Sequence, residues 1–243
     1  MNALDQIVNG INKDYKSNII QVGAAQAYVE KIQFSSPRVN FMTYGGIPVG
    51  KATEFFGPEG GGKTTAAMDV VGQAQKKAKR EWDAEYAEVS AELETLLEKN
   101  NKSDKDRIKK LTAHQAQLEE DGPRKAVYVD AENTLDTDWA EKNGVDVDEL
   151  YLVRPDDQTA EQVLQLIIDL IKSNQVCILV LDSVPMLVSQ QLYDETLEKK
   201  SYGGIAAPLT EFSKRVSPLL SKAHTALVLI NQVQVVPLMR AIA

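Results

Sequence analysis

Gly57-Pro58-Glu59-Gly60-Gly61-Gly62-Lys63-Thr64 follows directly on the apolar run Ala52–Phe56 and leads into Thr65-Ala66-Ala67, which reads as the opening of a helix. The stretch matches G-x-x-x-x-G-K-[ST] set between a strand and a helix, the context in which that spacing carries a mechanism. Glycines let the backbone curl so that successive N–H groups point inward around an anion. The helix that follows aims its positive dipole end at the same place. Lys63 adds a charge within reach of β- and γ-phosphates, and the Thr64 hydroxyl is placed to ligate Mg²⁺. The reading is a phosphate loop for ATP with Mg²⁺, formed by Gly57 to Thr64 together with Thr65.

Working outward, short β-branched runs alternate with helical patterns, the signature of an α/β architecture built on a mostly parallel sheet. The expected strands are Ala52–Phe56, Ala126–Val129, Tyr151–Val153, Val176–Leu181 and Ala226–Ile230. Val176–Leu181 (VCILVL) is apolar throughout, as a central strand covered on both faces must be. Ala160–Asn174 is predicted helical, with Thr159 and Gln162 spaced as a capping box and Val163, Ile167, Leu170 and Ile171 on one face. Pro208–Leu220 reads as a further helix that Pro218 would end or kink.

The strand ends supply the chemistry that a phosphate loop needs. Val176–Leu181 runs into Asp182-Ser183, where a carboxylate at the tip of a buried strand can hold a magnesium-bound water, with Ser183 as a neighbouring donor. Ala126–Val129 runs into Asp130-Ala131-Glu132. There Glu132 is the candidate to polarise the attacking water, the competing reading being that Asp130 or Glu132 caps the next element. Ala226–Ile230 runs into Asn231-Gln232, a neutral amide pair that could report the γ-phosphate to the following loop.

Two segments interrupt the alternation. Leu4, Ile7, Val8 and Ile11 make a short amphipathic helix followed by a strand-like Asn18–Val22, which reads as an arm that docks on something. Lys76–Gly122 is dense in charge. Trp82, Tyr86, Val89, Leu93 and Leu96, then Ile108, Leu111, Gln115 and Leu118, step by three or four on either side of Asn100-Asn101-Lys102-Ser103. That is the seam of an antiparallel helical hairpin at about 79–122, stopped by Gly122-Pro123.

Composition narrows the rest. With 243 residues, 43% hydrophobic and 26% charged, the chain has the make-up of an ordinary globular protein. One cysteine, Cys177, excludes an internal disulfide framework, and His114 and His224 are too few for a zinc centre. No apolar run suits a membrane span and Met1–Gly10 has no secretory pattern, so the expected location is cytoplasmic. The net charge of −8 argues against a surface that binds nucleic acid everywhere, but not against contact through local loops.

Taken together, GIPVGKATEFFGPEGGGKTT, YVDAENTLD, ILVLDSV and LVLINQV resemble, in order and spacing, the core of the bacterial and phage RecA family of strand-exchange recombinases. The resemblance covers about Leu4 to Val233, with the hairpin as an insertion. It implies a RecA-type P-loop ATPase core over residues 35–243 and an N-terminal arm over 1–34 that packs on an adjacent subunit to build a filament. It implies that Glu132 is the catalytic glutamate, Gln232 a phosphate sensor, and Asp136 and Trp139 the groups that contact adenine, an indole serving for stacking. The stretch from Gln190 to Gly204, with Lys199, Lys200, Gly203 and Gly204, falls where the family has its first DNA-binding loop. The implied partners are single-stranded DNA, duplex DNA in the intact form, and further copies of the chain. The implied activity is DNA-dependent ATP hydrolysis in recombination and repair. After Gln232 the chain departs from the family pattern, which points to a shortened recombinase whose strand Ala226–Ile230 lies as an exposed sheet edge. The other readings are a module that binds ATP and acts only by assembling with full-length partners, and a related helicase or mediator ATPase.

Overall fold

The computed structural model describes residues 3–16, 19–20, 29–99, 101–194 and 204–232. It divides into two compact units, Met1–Glu30 and Lys31–Ala243. In the first, helix α1 (Ala3–Asp14) leaves Leu4 and Ile7 exposed, and the Asn12 side chain bonds both the N–H and the carbonyl of Ile20. Of the expected strand Asn18–Val22, Ile19 and Ile20 are described and neither is in a strand; the rest lies outside the described residues.

The second unit begins with a short antiparallel pair, β1 (Lys31–Ile32) and β2 (Ile47–Pro48), connected through α2 (Pro37–Met42). Ile32 and Phe34 are buried in the core of this unit. Next come β3 (Ala52–Gly57), α3 (Lys63–Lys99), α4 (Lys105–Asp121), β4 (Lys125–Asp130) and α5 (Thr137–Lys142). They are followed by β5 (Leu150–Val153), α6 (Ala160–Lys172), β6 (Val176–Asp182), α7 (Gln190–Asp194), α8 (Ala206–Ala223) and β7 (Ala226–Gln232).

Strands β3 to β7 form one parallel five-stranded sheet in the order β3-β7-β6-β4-β5. All five predicted strands are present. One expectation fails: β7 is not an edge. It pairs with β3 on one side and β6 on the other, because its side chains are apolar on both faces and only an interior position covers both. Among the described residues the edges are β3 and β5.

Alternation along the strands separates the two faces. Ala126 and Tyr128 of β4, Ile178 and Val180 of β6, and Ala226 and Val228 of β7 pack with Ala67, Val70, Val71 and Ala74 of α3. Val127 and Val129, Leu179 and Leu181, and Leu227 pack with Ile167 and Ile171 of α6 and Phe212, Val216 and Leu220 of α8. Helix α6 starts with the expected capping box, Thr159 and Gln162 each satisfying the other's backbone. Pro218 sits inside α8 without ending it.

The hairpin forms, but its first arm is not a separate helix. α3 runs unbroken for 37 residues from the glycine-rich loop out to Lys99. A 3₁₀ turn at Lys102–Asp104 then reverses the chain into α4. The two arms are joined by Trp82 Nε1–H to the Leu118 carbonyl (2.8 Å), Tyr86 O–H to Glu119 (2.6 Å), Gln115 to Ser90 (2.9 Å), and an Arg107–Glu92 ion pair. Among the described residues no helix is long and apolar enough to cross a membrane.

Candidate nucleotide site

The loop between β3 and α3 has the shape its glycines predict. Gly60 and Gly62 sit at φ +68° and +78°, in the left-handed region where a side chain would strain the backbone. The Gly61 N–H closes a turn onto the Pro58 carbonyl at 3.3 Å. The first α-helical bond of α3 is Ala66 N–H to Gly62 O (2.9 Å), so the N–H groups at the helix start face the loop's hollow instead of a carbonyl. Lys63 Nζ bends back over this hollow, donating to the Gly57 and Pro58 carbonyls at 3.2 and 2.8 Å.

Asp182 reaches the same spot from the end of β6. Its side chain is 4% exposed, and its Oδ2 accepts the Thr64 hydroxyl at 2.8 Å and the Tyr128 hydroxyl at 2.6 Å. Parity explains the meeting. Tyr128, Val180 and Asp182 all point to the α3 face, and β4 and β6 run in register with Tyr128 beside Val180 and Asp130 beside Asp182. Burial pushes the Asp182 carboxyl above the usual carboxylate range; the Glu132 and Asp130 charges add to this, while the two hydroxyl bonds oppose it. Burial, reinforced by the Asp182 charge, drives the Tyr128 hydroxyl far above its ordinary value, which fixes it as a donor. A threonine oxygen touching a carboxylate is a hard-oxygen pair that fits Mg²⁺.

The two carboxylates at the end of β4 and just beyond it have different partners. Asp130, 1% exposed, accepts the backbone N–H groups of Thr134 (3.1 Å) and Leu135 (3.0 Å) and so shapes the turn. Glu132 instead turns toward the phosphate loop's side of the sheet. Its Oε1 accepts Ser183 Oγ–H at 2.5 Å and Gln232 Nε2–H at 3.1 Å. Ser183 thus serves Glu132. Gln232 is aligned opposite Gly57 in the β3–β7 ladder, and Asn231 is turned the other way, donating to Glu54 at 2.8 Å. Lys63, Thr64, Asp182, Glu132 and Gln232 are therefore gathered at the carboxyl ends of adjacent strands.

Other expected residues lie apart from this group. Asp136 caps α5 by accepting the Trp139 N–H at 3.0 Å, and Trp139 is 46% exposed. A cleft of about 620 Å³ opens beside Gly62 and Thr65, bordered by Phe34, Asp69 and Lys142–Gly144, where α5 gives way to the following turn; neither Asp136 nor Trp139 lines it. Lys199, Lys200 and Gly203 fall outside the described residues, and Gly204 occupies a turn before α8. Sequence reasoning missed Tyr128. The only signal for it was strand parity, which puts a residue two before Asp130 on the same face.

The chain matches, over residues 2–96 and 100–239, the family model described as the RecA N-terminal domain. It is 33% identical over 235 residues to Protein RecA of Thermus aquaticus, covering 96% of this chain and 55% of that protein. It is 30% identical over 237 residues to Protein RecA of Aquifex pyrophilus, with the same two coverages. It is 26% identical over 235 residues to the mitochondrial DNA repair protein recA homolog of Dictyostelium discoideum, covering 95% of this chain and 42% of that protein. The chain spans about half the length of the curated relatives it matches.

Proposed function

This chain belongs to the RecA N-terminal domain family, and from that premise we propose that it is a RecA-like recombinase that binds ATP with Mg²⁺ and hydrolyses it when assembled on single-stranded DNA. One observation carries the reading: the Thr64–Asp182 and Gln232–Glu132 contacts converge at the sheet end that bears the phosphate loop. In this reading the loop N–H groups and Lys63 hold the triphosphate. Thr64 and Asp182 would hold Mg²⁺, which would supply charge neutralisation for the triphosphate. Glu132, with Oε1 already held by Ser183 and Gln232, presents its other oxygen to the attacking water and takes its proton. Gln232, the last residue of β7, links the occupancy of the γ-phosphate position to the chain beyond it.

The remaining assignments rest on the family. Asp136 and Trp139 contact adenine; the Gln190–Gly204 stretch, with Lys199, Lys200, Gly203 and Gly204, contacts DNA phosphates. Residues 1–34 mediate self-association through the apolar face of α1, and the filament pairs its strand with homologous duplex in recombination and repair. The test is ATP turnover with and without single-stranded DNA. We expect DNA to stimulate it, and Glu132→Gln to retain binding of a fluorescent ATP analogue while turnover falls about 10²–10⁴-fold. Undiminished turnover in that variant would remove Glu132 from its role. Nucleotide binding without any turnover in the wild type would favour a module that acts by assembly alone.

A further inference from the structure

Asp182 has one oxygen, Oδ2, held by two hydroxyl donors, Thr64 at 2.8 Å and Tyr128 at 2.6 Å. The first of these is the hydroxyl of the phosphate loop itself. The second comes from the middle of β4, from a side chain only 1% exposed and enclosed by the core between the sheet and α3. Core packing alone does not call for that hydroxyl. Phenylalanine would fill the same volume, whereas a buried hydroxyl costs free energy unless bonded. No ion pair involves Asp182 among the described residues, and the carboxylates of Asp130 and Glu132 belong to the same strand ends. An aspartate in such surroundings is not held by charge; it is held by hydroxyls.

We propose that Tyr128 is a positioning residue for the magnesium site: it pins Asp182 Oδ2 from below, so that Oδ1 and the Thr64 oxygen lone pairs are presented together toward the cation. This rests on the reading of Thr64 and Asp182 given above. Tyr128 is set into the rigid centre of the sheet, with β6 paired on one side and β5 on the other, so its hydroxyl is a fixed point that solvent does not displace. Thr64, at the first turn of α3, is less exposed to this constraint and depends on Asp182 staying where Tyr128 holds it. Loss of the phenolic O–H frees the carboxylate to rotate about its Cβ–Cγ bond, and the preformed pair of ligands is lost.

The experiment titrates Mg²⁺ into wild type, Tyr128→Phe and Thr225→Val in the presence of a fluorescent ATP analogue, with parallel binding measured in EDTA. Thr225→Val is the control: it also removes a fully buried hydroxyl bond, to the Val176 carbonyl at 2.7 Å, at the opposite end of the sheet. The expected result is a rise of about three- to tenfold in the Mg²⁺ midpoint for Tyr128→Phe alone, with EDTA binding unchanged in all three proteins. A midpoint within twofold of wild type, or an equal shift in Thr225→Val, overturns the role of Tyr128. So does a matching loss of binding in EDTA, which would mean that the phenol supports the fold and not the metal. Failure of the underlying reading looks different: wild type itself would then bind the nucleotide with no dependence on Mg²⁺, and the inference would fall with it.

Discussion

Asp182 shows what a buried carboxyl costs its own fold. Its native pKa lies above the unfolded value of about 3.9, so the folded protein holds this proton more tightly than the unfolded chain does. The contribution of this group to stability therefore falls as pH rises from about 4 through the raised native pKa. Asp182→Asn keeps an oxygen to accept the Thr64 and Tyr128 hydroxyls but carries no charge to desolvate. In EDTA its melting temperature should exceed that of wild type at pH 7, and the gap should shrink as pH is lowered toward 4. A gap that stays constant across this range would mean that desolvation of Asp182 is not the cause. The same variant should lose Mg²⁺-dependent nucleotide binding, which separates stability from function at a single atom.

At the level of elements, the first half of α3 is held against the loop after α5 by a contact that only glycine permits. A Cβ built on Gly72 would stand 2.4 Å from the Gly144 carbonyl oxygen and 2.6 Å from its carbon. Helix propensity alone favours alanine there by about 1 kcal/mol. Backbone overlap acts the other way and costs about 1–3 kcal/mol, because neither the sheet-packed face of α3 nor the turn at Gly144 can retreat freely. Gly72→Ala should therefore be destabilising by about 1 kcal/mol in urea unfolding, in spite of its better propensity. Net stabilisation would show that the α5 turn yields. Close approach here matters for the site because α3 presents Lys63 and Thr64 from its first turn, two and a half turns earlier along the same rigid rod.

Across the whole second unit, the sheet and the hairpin divide the labour along α3. Thirty-seven residues at 1.5 Å each put the tip of α3 roughly 55 Å from the glycine-rich loop. The arms of the hairpin bond chiefly to each other, and at its base Trp82 already touches Leu118. Replacing residues 84–116 by a short Gly/Ser linker should leave the core folded and the affinity for a fluorescent ATP analogue within about twofold of wild type. A tenfold loss in that titration would mean that the hairpin is coupled to the site through α3.

How much of this was legible in the chain depends on the range of the interaction. The curl of the glycine-rich loop, the five strands, the capping box of α6 and the carboxylates at strand tips follow from residues close together in sequence, since backbone curvature, periodicity and capping are local. That β7 is an interior strand, that Asp130 shapes a turn while Glu132 faces the loop, and that Ser183 serves Glu132 were settled only by strand order and register. Tyr128 meets Asp182 across 54 positions of sequence. Such a meeting depends on which strands lie side by side and at what register, and those are properties of the folded sheet that no local pattern encodes.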